Sequence, residues 1–446
     1  MPIPPAHANR LVYHFTHIDN LPGLLQTGFL SNNHPNFPRN GHRSVAEGSI
    51  QCRRAEMQVT CGPGGVVHDY VPLYFGSVSL MLLSVLNKKN VDQHEIIYFE
   101  FPISLLNRND VVFTDAAANT AIPPNFYSDP ANLNLLNWAE IDSRKWKCAN
   151  DTLKHQRMAE VLVHANLPLQ DACQVVVWND EIEQHIRSLV NAAGVQFPEI
   201  KFEDTRNHPH YFTKFMEGKP TESLVSGPKV IAGTYQSACE TIANANHAQS
   251  APFRTPLVLL EALREDFGCL PHTAELIGLK SANGLHKYTV DVHTLQVVIK
   301  LRALPEFGDL PDGDQDRLEL AAYLHDIGKG PKARWANCGG VQQVDSDHPI
   351  RAIPMLTDIL TNYVAKVKQE NAELILKLVL YHDLVGDVLG KQRDEQQIVD
   401  VAQSELELAM LFALGKADAT TLHEEWWDGT AAAALYARCA TVINAR

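Results

Sequence analysis

The run Ala321-Ala322-Tyr323-Leu324-His325-Asp326-Ile327-Gly328-Lys329-Gly330 sets a histidine beside an aspartate at the end of an apolar helix face. Leu318, Ala321, Ala322 and Leu324 give that face its helical spacing, and Gly328 and Gly330 supply the expected stop. Two such groups are costly to desolvate unless something compensates them, and a divalent metal does so readily, since imidazole and carboxylate together suit transition metals or Mg/Mn. A bare His-Asp dipeptide would read as a hydrogen-bonded pair at the surface. This one has company: His293, His325, Asp326, His348, His382 and Asp418 follow one another at intervals of 32, 1, 22, 34 and 36 residues. Most intervals equal about one helix plus a loop, so the groups would project from different helices of one bundle. Lys329 is placed either to neutralise a substrate phosphate or to serve as a helix C-terminal cation. Asp383 reads as an exposed helix carboxylate, with orientation of the His382 ring as the alternative.

The N-terminal half carries a different set. Arg53-Arg54 is a pair able to grip a pyrophosphate, because guanidinium binds phosphate bidentately, although adjacent arginines also make an ordinary solvated surface. Glu160 immediately precedes Val161-Leu162-Val163 and so projects from the start of an expected core strand. Between them, Trp138, Arg144, Lys145, Trp146, Lys147, Lys154, His155 and Arg157 interleave cations with tryptophans. Single-stranded nucleic acid is bound that way, charge for phosphate and rings for bases; a solvated helix face is the plainer reading.

The elements that must position these residues follow from periodicity. Leu11–Thr16 predicts a strand and Asp19–Gln26 a helix closed by Gly28, with His17 and Asp19 as turn and cap. His14 could face either side of that strand. Residues 32–70 read as loop with one short element. Val71–Gly76, Glu95–Phe101 and Val111–Phe113 predict further strands, and Ser79–Leu86 an apolar helix. Residues 214–262, punctuated by Gly218-Lys219-Pro220 and Ser226-Gly227-Pro228, predict a connector with small helices. Beyond it nearly everything reads as helix, with apolar stripes at Val292, Leu295, Val298 and Ile299, at Leu374, Leu378 and Tyr381, and at Leu406, Ala409, Met410, Ala413 and Leu414. Trp426 and Trp427 are expected to pack.

At 446 residues there is room for two or three full cores, and 45% hydrophobic with 20% charged residues is globular composition. A net charge of −14 argues against non-specific coating of nucleic acid while allowing a local basic groove. Eight cysteines without a Cys-x-x-Cys pair predict reduced, mostly buried thiols in a cytoplasmic protein. No secretory signal is visible, and no run reaches the roughly 18 apolar residues of a membrane span.

Four N-terminal blocks carry a resemblance: Tyr13–Leu21, Ile50–Arg54, Val71–Phe75 and His155–Glu160, in this order. Over roughly residues 10–213 they resemble the DarT family of nucleic-acid ADP-ribosyltransferases. That implies an α+β domain (1–213) with a split β-sheet holding NAD as substrate, and a base in single-stranded DNA or RNA as acceptor. It makes Glu160 the catalytic glutamate and Arg54 the arginine that positions NAD phosphate and the attacking base. His14, Thr16, Tyr74 and Met81 fall at NAD-contacting positions. Gln51-Cys52 departs from a family pattern with an upstream lysine, which leaves Arg53 a rival for Arg54's role.

Within residues 263–446, Asp291–Leu295, Leu324–Lys329, Asp347–Pro349, Tyr381–Asp383 and Ala417–Ala419 resemble the HD superfamily of metal-dependent phosphohydrolases. The resemblance implies an all-α bundle with His293, His325, Asp326 and Asp418 as core ligands. His348 and His382 match the extra pair of two-metal members, and a small nucleotide or phosphoester is the expected substrate. Six N/O ligands favour Mn, Fe, Ni or Co; Mg or Zn remain open. The sequence thus predicts a bifunctional enzyme. The alternatives are an HD nucleotidase regulated by a non-catalytic NAD-sensing module, and an HD half reduced to a scaffold. Oligomeric state is open.

Overall fold

The computed structural model describes residues 2–39, 41–43, 48–119, 123–145, 148–202, 210–245, 250–282, 284 and 287–446. The chain forms two compact units, the first of Met1–Asn87 with Val91–Val225 and the second of Ser226–Arg446 with Lys88–Asn90.

The first unit is built on an eight-stranded sheet: β1 (Leu11–His17), β2 (Tyr70–Tyr74), β3 (Ile96–Pro102), β4 (Val111–Thr114), β5 (Phe126–Tyr127), β6 (Glu160–His164), β7 (Gln174–Val177) and β8 (Glu199–Phe202). Its order is β8-β7-β3-β1-β2-β6-β4-β5, antiparallel throughout except for β7 and β8. β1 pairs with β3 along its full length, Leu11 opposite Pro102 to His17 opposite Ile96. Its other edge meets β2 only where Tyr13 faces Tyr74. The sheet is continuous in order but opens between β1 and β2, and the strands beyond that opening remain well paired, Tyr70 with His164 through Tyr74 with Glu160.

Helices α1 (Leu21–Thr27), α2 (Gly48–Glu56), α3 (Leu80–Asn87), α4 (Asp151–Arg157) and α5 (Asp180–Ala193) complete the unit. Alternation along the strands buries both faces. Val12, Leu73, Phe99 and Val161 pack with Leu21 of α1 and Ile182 and Ile186 of α5, whereas Tyr13, Phe15 and Tyr98 pack with Leu82, Val85 and Leu86 of α3. Gly28 ends α1 at φ +67°, and a Cβ there would lie 2.8 Å from the Leu167 carbonyl oxygen. Glycine is therefore required for both backbone and space.

The second unit is mostly helical: α6 (Pro228–Ala243), α7 (Pro256–Glu265), α8 (Val290–Ala303), α9 (Asp312–Leu324), α10 (His348–Asp358), α11 (Gln369–Leu380), α12 (Leu384–Lys391), α13 (Glu405–Leu422) and α14 (Gly429–Asn444) surround one core. It is not wholly α, since Lys280–Ser281 and Val341–Gln342 form a short parallel pair. Within the segment expected as a connector, α6 is a sixteen-residue helix whose Ile231, Ala238, Cys239 and Ile242 join this core. Ser226 pins its start, donating from backbone N and Oγ to the two oxygens of Asp347 at 3.0 and 2.9 Å.

Two helical expectations need correction. On α8 the buried face is Val290, His293, Thr294, Val297, Val298 and Leu301, with Leu295 packed against the core, so Val298 and Leu295 of the expected stripe face inward while Val292 and Ile299 are exposed, Ile299 by 59%. Helix α9 ends at Leu324, before Gly328. Gly328 acts instead by close approach: a Cβ there would sit 1.9 Å from the His348 carbonyl oxygen and 2.5 Å from the Ala352 nitrogen. Both are backbone atoms of α10, so α10 would have to move away from the His-Asp turn. Gly328→Ala is expected to destabilise the second unit by about 2 kcal/mol or more, a typical overpacking cost. Urea unfolding checks this; an unchanged midpoint would contradict the packing described.

Trp427 packs against the core, but Trp426 is largely exposed beside His423. Two of the eight free cysteines, Cys239 and Cys439, are buried, whereas Cys52, Cys173 and Cys338 are exposed, which corrects the expectation of mostly buried thiols. Among the described residues no helix is long and apolar enough to cross a membrane.

Candidate functional sites

In the second unit all six sequence-selected groups converge. His293 Nε2 lies 2.9 Å from Asp418 Oδ1, and His325 Nε2 lies 3.4 Å from Asp326 Oδ2 and 3.8 Å from Asp418 Oδ1. Asp326 Oδ1 faces His348 Nε2 at 3.3 Å, and His348 Nε2 lies 3.1 Å from His382 Nε2. Three groupings have metal-binding spacing: His293, His325 and Asp418; His325, Asp326 and His382; and His348, His382 and Asp383. The last includes a residue that the sequence reading took for an exposed carboxylate.

Backbone carbonyls fix the imidazoles. Nδ1 of His325, His348 and His382 lies 2.7, 2.9 and 2.7 Å from the carbonyl oxygens of Ala322, Asp345 and Val379. A carbonyl only accepts, so Nδ1 carries hydrogen in each ring and the neutral ring turns an Nε2 lone pair inward. His325 Nε2 and Asp326 Oδ1 are buried and make no hydrogen bond of good geometry with the described residues. Without an ion, charge must compensate. Burial alone would lower the His325 pKa, but Asp326 and then Asp418 lift it to about 9. Burial would likewise raise Asp326, yet Lys329 and His325 hold it well below the carboxylate range. Lys329 is neither solvated nor a simple helix-end cation: its Nζ pairs with Asp326 Oδ2 at 2.7 Å. Asp345, which accepts from Arg334 and Arg351 at 2.7 and 2.8 Å, anchors the loop that holds His348 Nδ1.

In the first unit a cavity of about 530 Å³ opens beside the loose β1–β2 junction. That volume lies within the usual range of small-molecule sites. His14, Thr16, Arg54, Tyr74 and Met81 line it, joined by Asn20, Arg43, Gln51 and His68, which the sequence reading had not selected. Arg43 lies in the polar loop, and a cation ion-paired to Asp19 across 24 residues leaves no periodic signal. Arg54 is 8% exposed and Glu160 2%. Arg54 Nη1 donates to both Glu160 oxygens, at 3.0 and 2.9 Å, and the Ala118 backbone N–H donates to Oε1 at 3.0 Å. Thr114 Oγ1 receives the Glu160 N–H at 3.0 Å, fixing the first residue of β6. Glu160 itself is not among the described lining residues; it stands behind Arg54. Arg53 does not line the cavity: it is exposed and donates from Nε to the Asn119 carbonyl at 2.8 Å.

His14 Nδ1 reaches across the opening to the Pro72 carbonyl at 2.7 Å. Burial pushes the His14 pKa down to about 4 despite that bond. Burial, and then the Glu160 charge, push Tyr74 above its ordinary range, so both rings are neutral at pH 7. Thr16 Oγ1 accepts from Asn20 Nδ2 at 2.9 Å. Because His14 is harder to protonate folded than unfolded, its contribution to stability is intact above about pH 6.5 and fades as pH falls toward 4. The full swing is about 3 kcal/mol. The wild-type melting temperature should therefore drop more steeply across that window than that of His14→Gln; parallel pH profiles would contradict a neutral His14.

The expected nucleic-acid surface is only partly present. Trp138 is not free to stack on bases, since the Arg10 guanidinium lies 3.8 Å over its ring and His7 stacks at 4.5 Å. Arg157 is buried and donates to the Lys145 carbonyl. Arg144, Lys145 and Lys154 are exposed, and Trp146 and Lys147 lie outside the described residues.

Residues 13–212 match the family described as ssDNA thymidine ADP-ribosyltransferase, DarT. A DNA ADP-ribosyl transferase of Thermus aquaticus is 31% identical over 209 residues, 46% of this chain and 89% of that protein. One from Thermus sp. 2.9 is 30% identical over 195 residues, 43% of this chain and 90% of that protein. The solved structure of Thermus sp. 2.9 DarT in complex with ADP-ribosylated ssDNA covers 45% of this chain and 97% of its own, at 26% identity and a TM-score of 0.41. The family match stops before Ser226, where the long segment of the second unit begins. Through its first unit, the chain belongs to the DarT family of ssDNA thymidine ADP-ribosyltransferases.

Proposed function

We propose that the first unit transfers ADP-ribose from NAD to a thymidine base of single-stranded DNA. The observation that carries this is the Arg54–Glu160 pair at the cavity beside the opened sheet, within the family-matched region. Loss of nicotinamide builds oxocarbenium character on the ribose, and a buried carboxylate stabilises that charge. A base ring nitrogen is a poor nucleophile until deprotonated, and Glu160 serves as the base. Arg54 holds the carboxylate and presents its remaining guanidinium hydrogens toward NAD phosphate. Labelled NAD offered with single-stranded DNA and RNA tests this: label on thymidine-containing DNA supports the reading, and label on neither polymer sinks it.

A second reading, NAD binding without turnover, draws on the engagement of both Glu160 oxygens. NAD bound stoichiometrically and recovered intact in the presence of DNA would favour it.

For the second unit we propose an HD-type metal-dependent phosphohydrolase, with His293, His325, Asp326, His348, His382 and Asp418 as the metal-binding set. The inward lone pairs and the unbonded His325 Nε2 and Asp326 Oδ1 fit a divalent ion of N/O preference. When bound, such an ion lowers the pKa of a coordinated water and polarises a phosphoester. The chain's own part is to hold the rings in one tautomer and to keep Lys329 beside Asp326 as a buried positive charge for a substrate phosphate. A nucleotide panel assayed for phosphate release, with and without Mn(II), is the test; inactivity throughout would leave the scaffold reading.

A further inference from the structure

We propose that Asp383 is a metal ligand, the anionic member of a second cation position formed with His348 and His382. This inference rests on the metal-binding reading of the second unit and extends its ligand set by one residue. His348 opens α10, His382 follows α11, and Asp383 caps α12, so three helix ends meet here. His348 Nε2 and His382 Nε2 lie 3.1 Å apart, and both rings spend their Nδ1 hydrogens on carbonyls. In the neutral rings two lone pairs therefore face each other at hydrogen-bond distance with no hydrogen between them.

The Asp383 carboxylate adds to this. Its oxygens lie 3.5 Å from His382 Nε2 and 3.9 Å from His348 Nε2, and its side chain is 24% exposed. Lys391 Nζ, at the far end of α12, is bound to Asp387 Oδ1 at 2.7 Å rather than to Asp383. Two inward lone pairs and a carboxylate repel one another unless a proton or a metal ion lies among them, and nitrogens about 3 Å apart are what two ligands of one small ion require at metal–nitrogen lengths near 2.1 Å. Asp326 turns Oδ1 toward His348 and Oδ2 toward His325, so one carboxylate faces both positions. With Asp383, the second position gains its own negative charge to balance a divalent ion.

The test uses the full chain loaded with Mn(II), dialysed, and measured for manganese per chain and for electron paramagnetic resonance. Wild type should retain two ions per chain with a spin-coupled spectrum. Asp383→Asn, which keeps shape but not charge, should retain one ion, show the spectrum of isolated Mn(II), and bind the second more than about tenfold more weakly. Its melting temperature in chelator and its labelling of DNA from NAD should match wild type, which separates ligand loss from misfolding. Two ions held equally tightly by Asp383→Asn, or a single ion in wild type, would overturn the assignment while leaving metal binding standing. No ion in wild type would overturn the metal-binding reading and this inference together.

Discussion

Glu160→Gln should reduce transfer of ADP-ribose to single-stranded DNA on the order of 10³-fold while leaving NAD binding within about threefold. The substitution keeps the volume and one acceptor oxygen, so the Ala118 N–H and Arg54 Nη1 retain a partner. It removes the negative charge that would face the ribose and the base that would take the acceptor's proton. Glu160→Ala is the harsher change, since it strands the buried Arg54 guanidinium, and breaking a buried pair costs about 3–5 kcal/mol. Reduced labelling by the alanine variant alone would therefore mix catalysis with folding. The neighbouring arginines supply the internal control. Arg54→Gln should abolish labelling, whereas Arg53→Gln, which loses one bond to the Asn119 carbonyl, should change it less than about threefold. Labelled DNA at wild-type rates from Glu160→Gln would remove the carboxylate from the mechanism.

The chain shows its elements more readily than its sites. Strand β1 was legible because Val12 lies on one core face and Tyr13 and Phe15 on the other, and α1 because Gly28 closes it. The Arg54–Glu160 pair spans 106 residues, and no period links them; it came from resemblance to a family. The Ala118 N–H that holds Glu160 carries no side-chain signature at all. On α8 the misread stripe has a physical cause. The interior face runs through Val290, His293, Thr294, Val297, Val298 and Leu301, of which the expected stripe held only Val298, and two polar residues in it disguise a helical period that would otherwise read as apolar. Asp383, at a helix start, reads in the sequence as an exposed helix carboxylate, and only the fold brings it beside His348 and His382. Gly328 looked like a helix stop because glycine usually is one; only packing against α10 reveals the other reason.

The His-Asp turn yields the second large effect, and a pair of substitutions divides it. Asp326 is buried and neutralises Lys329, itself buried, across 2.7 Å. In chelator, Asp326→Ala should cost about 3–5 kcal/mol, because an ammonium is left without its partner in a low-dielectric interior. Lys329→Met alone should also destabilise, since the carboxylate then faces imidazoles alone, those of His325, His348 and His293. The double variant Asp326→Ala/Lys329→Met removes both charges together and should recover most of the lost stability, giving a large coupling energy in the cycle. Manganese retention should behave differently. Asp326→Ala and the double variant should both lose tight binding, because each lacks the carboxylate turned toward both positions, whereas Lys329→Met should keep its ions. Stability that recovers without metal binding would show that the ion pair and the ligand set share one residue for separate reasons. Metal retention in the double variant equal to wild type would show that Asp326 stabilises the turn and binds nothing.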